Sequence, residues 1–295
     1  MSIQDTLRRF LFSQGAVRGQ LVQLGPALQP ALVRQNYPAP VAAVLNQAFA
    51  ATCLLSATIK YRGAITLQIN GVGPVSMVLA QTNDELVFRG LAHWQADLIH
   101  KGPGQGQEQG ESLLGDGRMQ ITIDRKNHPE RYQSLVAFEQ GGLDRALENY
   151  FDQSEQLATR IWLASDGQRA CGLLLQQLPG ATDSEEWERL QYLAETVTEP
   201  ELLELDSETL LYRLFNQETV SLFDPQVPSF GCNCSAARSE RAVRTMSYQD
   251  ARGLLAERGE IEVCCEFCDA RYRFGSHDLE RIHTELQSTT PKELH

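Results

Sequence analysis

The chain has 295 residues, 42% of them apolar and 22% charged, and a net charge of −12. That length holds one large domain or two smaller ones with ample material for a core. The acidic balance argues against a nucleic-acid partner, and no run reaches the roughly 18 uninterrupted apolar residues of a membrane span.

At the start, Arg8 and Arg9 precede only Phe10, Leu11 and Phe12 before Ser13, a poor signal peptide. An intracellular, cytoplasmic protein is expected, where cysteines stay reduced unless function demands otherwise. Seven cysteines in such a setting favour metal or redox use over structural disulfides.

Residues 1–178 read as an α+β domain, a mainly antiparallel sheet with helices on one face. Val17 to Leu24 is strand-like and enters a loop containing Pro26 and Pro30. Tyr37-Pro38-Ala39-Pro40 starts a buried helix that runs to about Lys60, through the apolar stretch Val41 to Ile59. Strands are expected over Ala64–Ile69, Val75–Ala80 and Glu85–Gly90, with Asn70-Gly71 as a tight type I′ hairpin turn between the first two. Lys101 to Gly110 is a Gly/Gln-rich loop. Arg118–Asp124 and Arg131–Phe138 form another strand pair, Leu143–Phe151 a helix, and Thr159–Ala164 and Arg169–Leu175 two more strands. Short links between strands favour antiparallel pairing.

Leu178-Pro179-Gly180 marks a first boundary, and residues 179–231 read as an acidic, amphipathic helical linker. Residues 181–208 carry ten acids against Arg189 alone. Thr182 with Glu185 and Thr198 with Glu201 are capping boxes. Trp187, Leu190, Leu193 and Val197 recur at helical spacing, as do Leu210, Leu211, Leu214 and Phe215. Short helices with repelling like charges need tertiary contacts to persist. Asp224-Pro225 and Pro228 break regular structure before the last segment, residues 232–295. There Ser247 to Arg258 is helical, Gly259 ends it, Glu260–Val263 and Ala270–Phe274 are strands, and Ser276 caps a final helix.

The chemistry lies in that last segment. Cys232-Asn-Cys234 and Cys265-Glu-Phe-Cys268 are two tight pairs thirty residues apart. Two such pairs folded together give one tetrahedral thiolate site, which points to a single zinc ion. Four thiolates leave no open position, so the plainer reading is a structural staple for a small domain. The sharper one is a sensor, because metal coordination keeps sulfur in the thiolate form that oxidants attack. Cys264 reads as a bystander, Cys53 and Cys171 as core thiols, and His277 and His283 as surface residues of the last helix. Arg238, Arg241, Arg244, Arg271 and Arg273 read equally as counter-charges to a tetrathiolate site or as solvated surface. Phosphate-binding, dinucleotide-binding, zinc-protease and serine-hydrolase motifs are missing, so no enzyme is expected.

At these residues the sequence resembles the redox-regulated 33 kDa heat-shock chaperone family of bacteria. The resemblance is carried by Phe230-Gly-Cys232-Asn-Cys234-Ser and by Gly259-Glu-Ile-Glu-Val-Cys-Cys265-Glu-Phe-Cys268, continuing to Tyr272-Arg-Phe274. It extends to Ala16-Val-Arg-Gly19, Tyr37-Pro-Ala-Pro-Val41, Gly73-Pro-Val75, Phe88-Arg-Gly90 and Asn149-Tyr-Phe-Asp-Gln-Ser-Glu-Gln156. Asn46, Ser134 and Ala158 depart from the family pattern, and Cys264 is not required by it.

The resemblance implies that Cys232, Cys234, Cys265 and Cys268 bind zinc in a reduced, inactive state. It further implies that oxidation pairs Cys232 with Cys234 and Cys265 with Cys268, releases the metal and unfolds the linker. The product is an ATP-independent holdase for unfolding client proteins, active as a homodimer. Trp187, Leu190, Leu210, Leu214 and Phe215 are then the expected client-binding side chains, kept soluble by the interleaved acids. A constitutive zinc-ribbon scaffold is the alternative. A thiol-disulfide oxidoreductase using Cys265 and Cys268 is disfavoured for want of a βαβ setting.

Overall fold

Alternating apolar residues draw much of the first 180 residues into strands, and one long apolar helix gives those strands a surface to cover. The computed structural model describes residues 4–12, 16–58, 62–99, 113–126, 128, 130–138, 142–180 and 184–289. It divides into two compact units, Met1–Gly231 and Cys232–His295.

In the first unit, strands β1 (Thr6–Phe12) and β2 (Val17–Leu24) lead into helices α1 (Gln29–Gln35) and α2 (Ala39–Thr58). Strands β3 (Gly63–Gly71), β4 (Val75–Asn83) and β5 (Val87–Trp94) follow, then the short helix α3 (Ala96–Ile99). After β6 (Gly117–Arg125) and β7 (Tyr132–Phe138) come helix α4 (Gly142–Tyr150) and strands β8 (Thr159–Ser165) and β9 (Ala170–Gln177). The acidic segment supplies helices α5 (Ser184–Glu195), α6 (Glu199–Glu204) and α7 (Ser207–Phe215), then strands β10 (Val220–Leu222) and β11 (Ser229–Phe230).

Two sheets result, of order β10-β1-β2-β9-β8 and β11-β5-β4-β3-β6-β7. All pairings are antiparallel except β11 with β5. Helix α2 is the shared core element: Leu45, Phe49 and Leu54 pack in one cluster with Val22 and Leu24 of the first sheet and Leu67 and Phe88 of the second. By length and hydropathy this helix would pass for a membrane span, but 78% of its apolar window is buried in protein.

Strand β9 is buried along nearly its whole length because it is covered twice. Ala170 and Leu174 face the α2 cluster, whereas Cys171, Leu173 and Leu175 face a second cluster built with α5, α6 and α7. The period of two in a strand sorts them so.

Several expectations are corrected. Asn70 and Gly71 form no tight turn; β3 runs through both, pairing Asn70 with Arg118 and Gly71 with Gly117. Gly71 is needed for close approach, since a Cβ there would lie 2.1 Å from the Leu114 carbonyl oxygen. The stretch expected as a loop after β2 is helical, with Pro30 in the first turn of α1, where its missing N–H costs nothing. Strands β1, β10 and β11 were not anticipated. The Lys101–Gly110 loop and the Thr182 cap lie outside the described residues.

The second unit holds helices α8 (Ala236–Arg244) and α9 (Tyr248–Arg258), a hairpin of β12 (Ile261–Cys264) and β13 (Arg271–Phe274), and helix α10 (Ser276–Thr289). Ser247 caps α9 through Asp250 N–H, and Gly259 ends it in the left-handed conformation. The apolar core is small: Val243, Ala251, Leu255, Ile261, Phe274, Leu279 and Ile282.

Candidate metal centre

Each cysteine pair is shaped by its own backbone device. In the second, the chain leaving β12 turns back on itself: Asp269 N–H donates to the Cys265 carbonyl at 2.7 Å, and Cys265 N–H to Ala270 at 2.9 Å. Asp269 takes a positive φ of 54° to close the knuckle. The first pair precedes α8. Ser235 caps that helix through Arg238 N–H, and the Arg238 guanidinium donates to the Asn233 carbonyl at 2.9 Å, fixing the peptide between the two cysteines.

These devices bring Cys232, Cys234, Cys265 and Cys268 together, with all four sulfurs within 4.8 Å of one another. Cys232 Sγ lies 3.7 Å from Cys265 Sγ, and Cys234 Sγ 3.3 Å from Cys268 Sγ. Zn–S bonds of 2.3 Å in a tetrahedron place sulfurs about 3.8 Å apart. The donor set and spacing therefore fit zinc with all four positions filled by thiolate.

The sulfurs are not equivalent. Burial pushes the Cys268 thiol up to about 12, and raises Cys265 as well. For Cys234 burial works the same way but is outweighed by hydrogen bonds from Tyr272 and the neighbouring thiols, which bring it down to about 7. The Tyr272 hydroxyl donates to Cys234 Sγ at 3.1 Å. The sequence reading missed Tyr272; its signal is the alternation Tyr272, Phe274 along β13, which turns both toward the inside of the unit.

The other singled-out residues fall elsewhere. The Cys264 thiol is exposed and directed at Glu262, 3.7 Å away. Cys53 and Cys171 are wholly buried in the first unit. His277 is exposed, and His283 packs edge-on against Tyr248. Arg271 and Arg273 are engaged by Glu262, at 3.1 and 3.2 Å, and so are not free to offset the sulfur charge; Arg244 pairs with Glu240.

The linker residues sit in the first unit. Leu190, Leu210, Leu214 and Phe215 are buried, and Trp187 half-buried, against Phe10, Phe12, Leu21 and Leu173 of the first sheet. Phe215 stacks edge-on with Phe12 at 5.1 Å. Polar ties hold the segment in place: Gln23 donates to the Leu205 carbonyl at 2.7 Å, Arg169 to Leu203 at 3.0 Å, and Arg8 to Glu208 at 3.1 Å. The apolar stripe is thus turned inward, while Tyr192 and Tyr212 remain exposed on α5 and α7.

Residues 5–275 match the profile of the family described as Hsp33 protein. The chain is 44% identical over 286 residues to the 33 kDa chaperonin of Nitrosococcus oceani, covering 97% of this chain and 96% of that protein. It is 43% identical to the 33 kDa chaperonin of Shewanella woodyi, covering 98% and 99%. Among solved structures, the 33 kDa chaperonin (heat shock protein 33 homologue) of Thermotoga maritima superposes with a TM-score of 0.83, covering 97% of this chain and all of that one. At 20% identity that likeness concerns the fold.

Proposed function

The chain belongs to the Hsp33 family of chaperones, and on that premise we propose that it is a redox-regulated, ATP-independent holdase of the cytoplasm. It binds unfolding proteins rather than turning over a substrate, and works as a homodimer once oxidised. The observation that carries this reading is the convergence of four sulfurs within 4.8 Å in a unit whose apolar cluster, among the described residues, has seven buried members. A unit with so little core depends on its cysteines for stability, so what happens to the cysteines decides whether it stays folded.

Cys232, Cys234, Cys265 and Cys268 would hold one zinc ion. When bound, zinc supplies charge that keeps the four sulfurs deprotonated and tied together. A peroxide or hypochlorous acid takes two electrons from one thiolate to give a sulfenic acid or its chlorinated equivalent. The neighbouring thiolate attacks that sulfur, expels hydroxide or chloride, and leaves a disulfide. Formed within each pair, Cys232–Cys234 and Cys265–Cys268, the two disulfides remove all four ligands.

Residues 179–231 form the linker that responds. Its helices are short, highly acidic and held by burial of Leu190, Leu210, Leu214 and Phe215. Once undocked, these side chains and Trp187 would offer apolar surface to clients, and the acids beside them would keep that surface in solution. Phe10, Phe12, Leu21 and Leu173 of the first sheet would be uncovered in the same event.

The test is parallel measurement of zinc release and of aggregation suppression during oxidation. Both should rise together, and Trp187 fluorescence, read in a background lacking Trp94 and Trp162, should shift to a solvated signal. Full chaperone activity with zinc retained would sink the proposal. So would zinc loss with no gain in activity, the outcome a constitutive zinc-ribbon scaffold predicts.

A further inference from the structure

The four sulfurs differ in where their hydrogen-bond donors come from. Cys265 accepts from the backbone N–H groups of Phe267 and Cys268, and Cys268 from that of Ala270. Those donors belong to the knuckle itself and would survive any side-chain change. Cys234 is served instead by a side chain 38 residues away, the Tyr272 hydroxyl at 3.1 Å. Tyr272 is well placed to be firm: β13 pairs it with Val263, and its ring packs at the edge of the small apolar core.

We propose that Tyr272 is a positioning residue that restrains oxidation of the Cys232/Cys234 pair through its hydrogen bond to the Cys234 sulfur. The inference rests on the four-sulfur redox reading above. In a metal-held site every sulfur is already a thiolate, so the rate of attack on a peroxide is set by how nucleophilic each thiolate is. A donated hydrogen bond draws charge from the lone pair that attacks, and thiolate nucleophilicity falls with basicity at a slope of roughly 0.4–0.5. The step restrained is attack of the Cys234 thiolate on hydrogen peroxide, giving sulfenic acid and hydroxide. Attack by Cys232 on that sulfur then forms the disulfide and releases a second hydroxide.

The same device separates the two cysteine pairs. Restraint on Cys265 and Cys268 is built into the backbone, whereas the donor outside the sulfur cluster that serves Cys234 is the Tyr272 hydroxyl. The oxidant sensitivity of the Cys232/Cys234 pair is therefore adjustable by a single substitution that leaves the knuckle intact.

Tyr272→Phe removes that oxygen and keeps the ring. The reduced, zinc-loaded full chain and its Y272F variant are treated with limiting hydrogen peroxide, quenched by alkylation, and analysed by peptide mass spectrometry to obtain initial rates for each disulfide. Y272F should retain one zinc per chain before oxidant is added. Its Cys232–Cys234 disulfide should form faster, on the order of a few-fold given the shallow dependence of thiolate nucleophilicity on basicity, with the Cys265–Cys268 rate unchanged. Equal rates in the two proteins would overturn the proposal. So would equal acceleration of both pairs, or zinc loss before oxidant, since either outcome assigns Tyr272 a structural role only. If the parent protein itself forms neither disulfide, the failure lies with the redox reading and not with Tyr272.

Discussion

The chain keeps two populations of thiol, one in each unit, and their surroundings are opposite. Cys53 and Cys171 are fully buried among apolar side chains; burial pushes the Cys53 thiol up to about 12 and raises Cys171 too. Such thiols stay protonated and inert. In the second unit Cys234 is brought down to about 7, and three more sulfurs stand within 4.8 Å of it. The difference extends to what holds each unit up. The first has apolar layers on both sides of its β2–β9 sheet, the second a handful of buried side chains and a sulfur cluster. One unit encloses its thiols in apolar core, and the other gathers four sulfurs at a site that fits a metal ion.

The harshest way to break this contrast is Cys268→Ser. A structural tetrathiolate zinc site contributes roughly 10–16 kcal/mol, far more than so small a core can replace. The variant should lose zinc, and amides of β12, β13 and α9 should lose hydrogen-exchange protection. Amides of α2 and β9 should keep theirs. Retained protection in the β12–β13 hairpin would show that packing alone suffices there.

Phe215→Ala tests the other unit on its own terms. Phe215 is 2% exposed and locked between Phe10 and Phe12, and truncating a buried aromatic costs about 3–5 kcal/mol. That should free α7 from the first sheet without touching the sulfurs. The expected outcome is a reduced protein with full zinc content that already suppresses aggregation. If the variant remains inactive while its linker amides exchange freely, undocking is not the activating event.

A smaller effect is expected inside α2. Asn46 is fully buried, and among the described residues neither its amide nitrogen nor its oxygen has a hydrogen-bond partner. Leaving such groups unpaired costs about 1–3 kcal/mol each, so Asn46→Leu, of similar volume, should raise the unfolding midpoint of the first unit. The second unit should be unaffected. A lower midpoint would mean that the site is polar enough to satisfy the amide.

The site was far more legible in the sequence than the fold around it. Cysteine spacing is a covalent fact, and it alone singles out Cys232, Cys234, Cys265 and Cys268. Alternation with Phe274 places Tyr272 on the inward face of β13, but its role at the site was not legible, because its partner lies 38 residues away and the hydrogen bond exists only after β13 has formed. Strand β1 was obscured because Leu7 faces one apolar cluster while Phe10 and Phe12 face the other, so with Arg8 and Arg9 between them no single alternation runs through the segment. Strands β10 and β11, at three and two residues, are too short to carry a pattern and exist because neighbouring strands offer an edge. Asn70-Gly71 shows the opposite failure: a strong local turn signal was overridden by pairing with β6, which extends β3 by two residues.

The finest test concerns the caps of α6 and α7, in the segment whose undocking is proposed above. Thr198 and Glu201 form a reciprocal capping box at α6, and Asp206 caps α7 through Glu208 and Thr209. Hydrogen bonds from Thr198 hold the Glu201 carboxyl below its usual range, and those from Thr209 do the same for Asp206. A carboxyl depressed on folding stabilises the folded state above its unfolded value near 4, and that contribution is lost as pH falls through the folded value. Both caps are therefore intact at neutral pH and fail below about pH 4. Thr198→Ala should cost about 1 kcal/mol at pH 7 and should also flatten the acid loss of α6, because the depression of Glu201 comes chiefly through Thr198. Hydrogen exchange of the α6 amides between pH 3 and pH 7 checks both at once, with each amide's intrinsic rate corrected for pH. An acid loss as steep in the variant as in the parent would place the depression of Glu201 on Arg213, 2.6 Å away, instead.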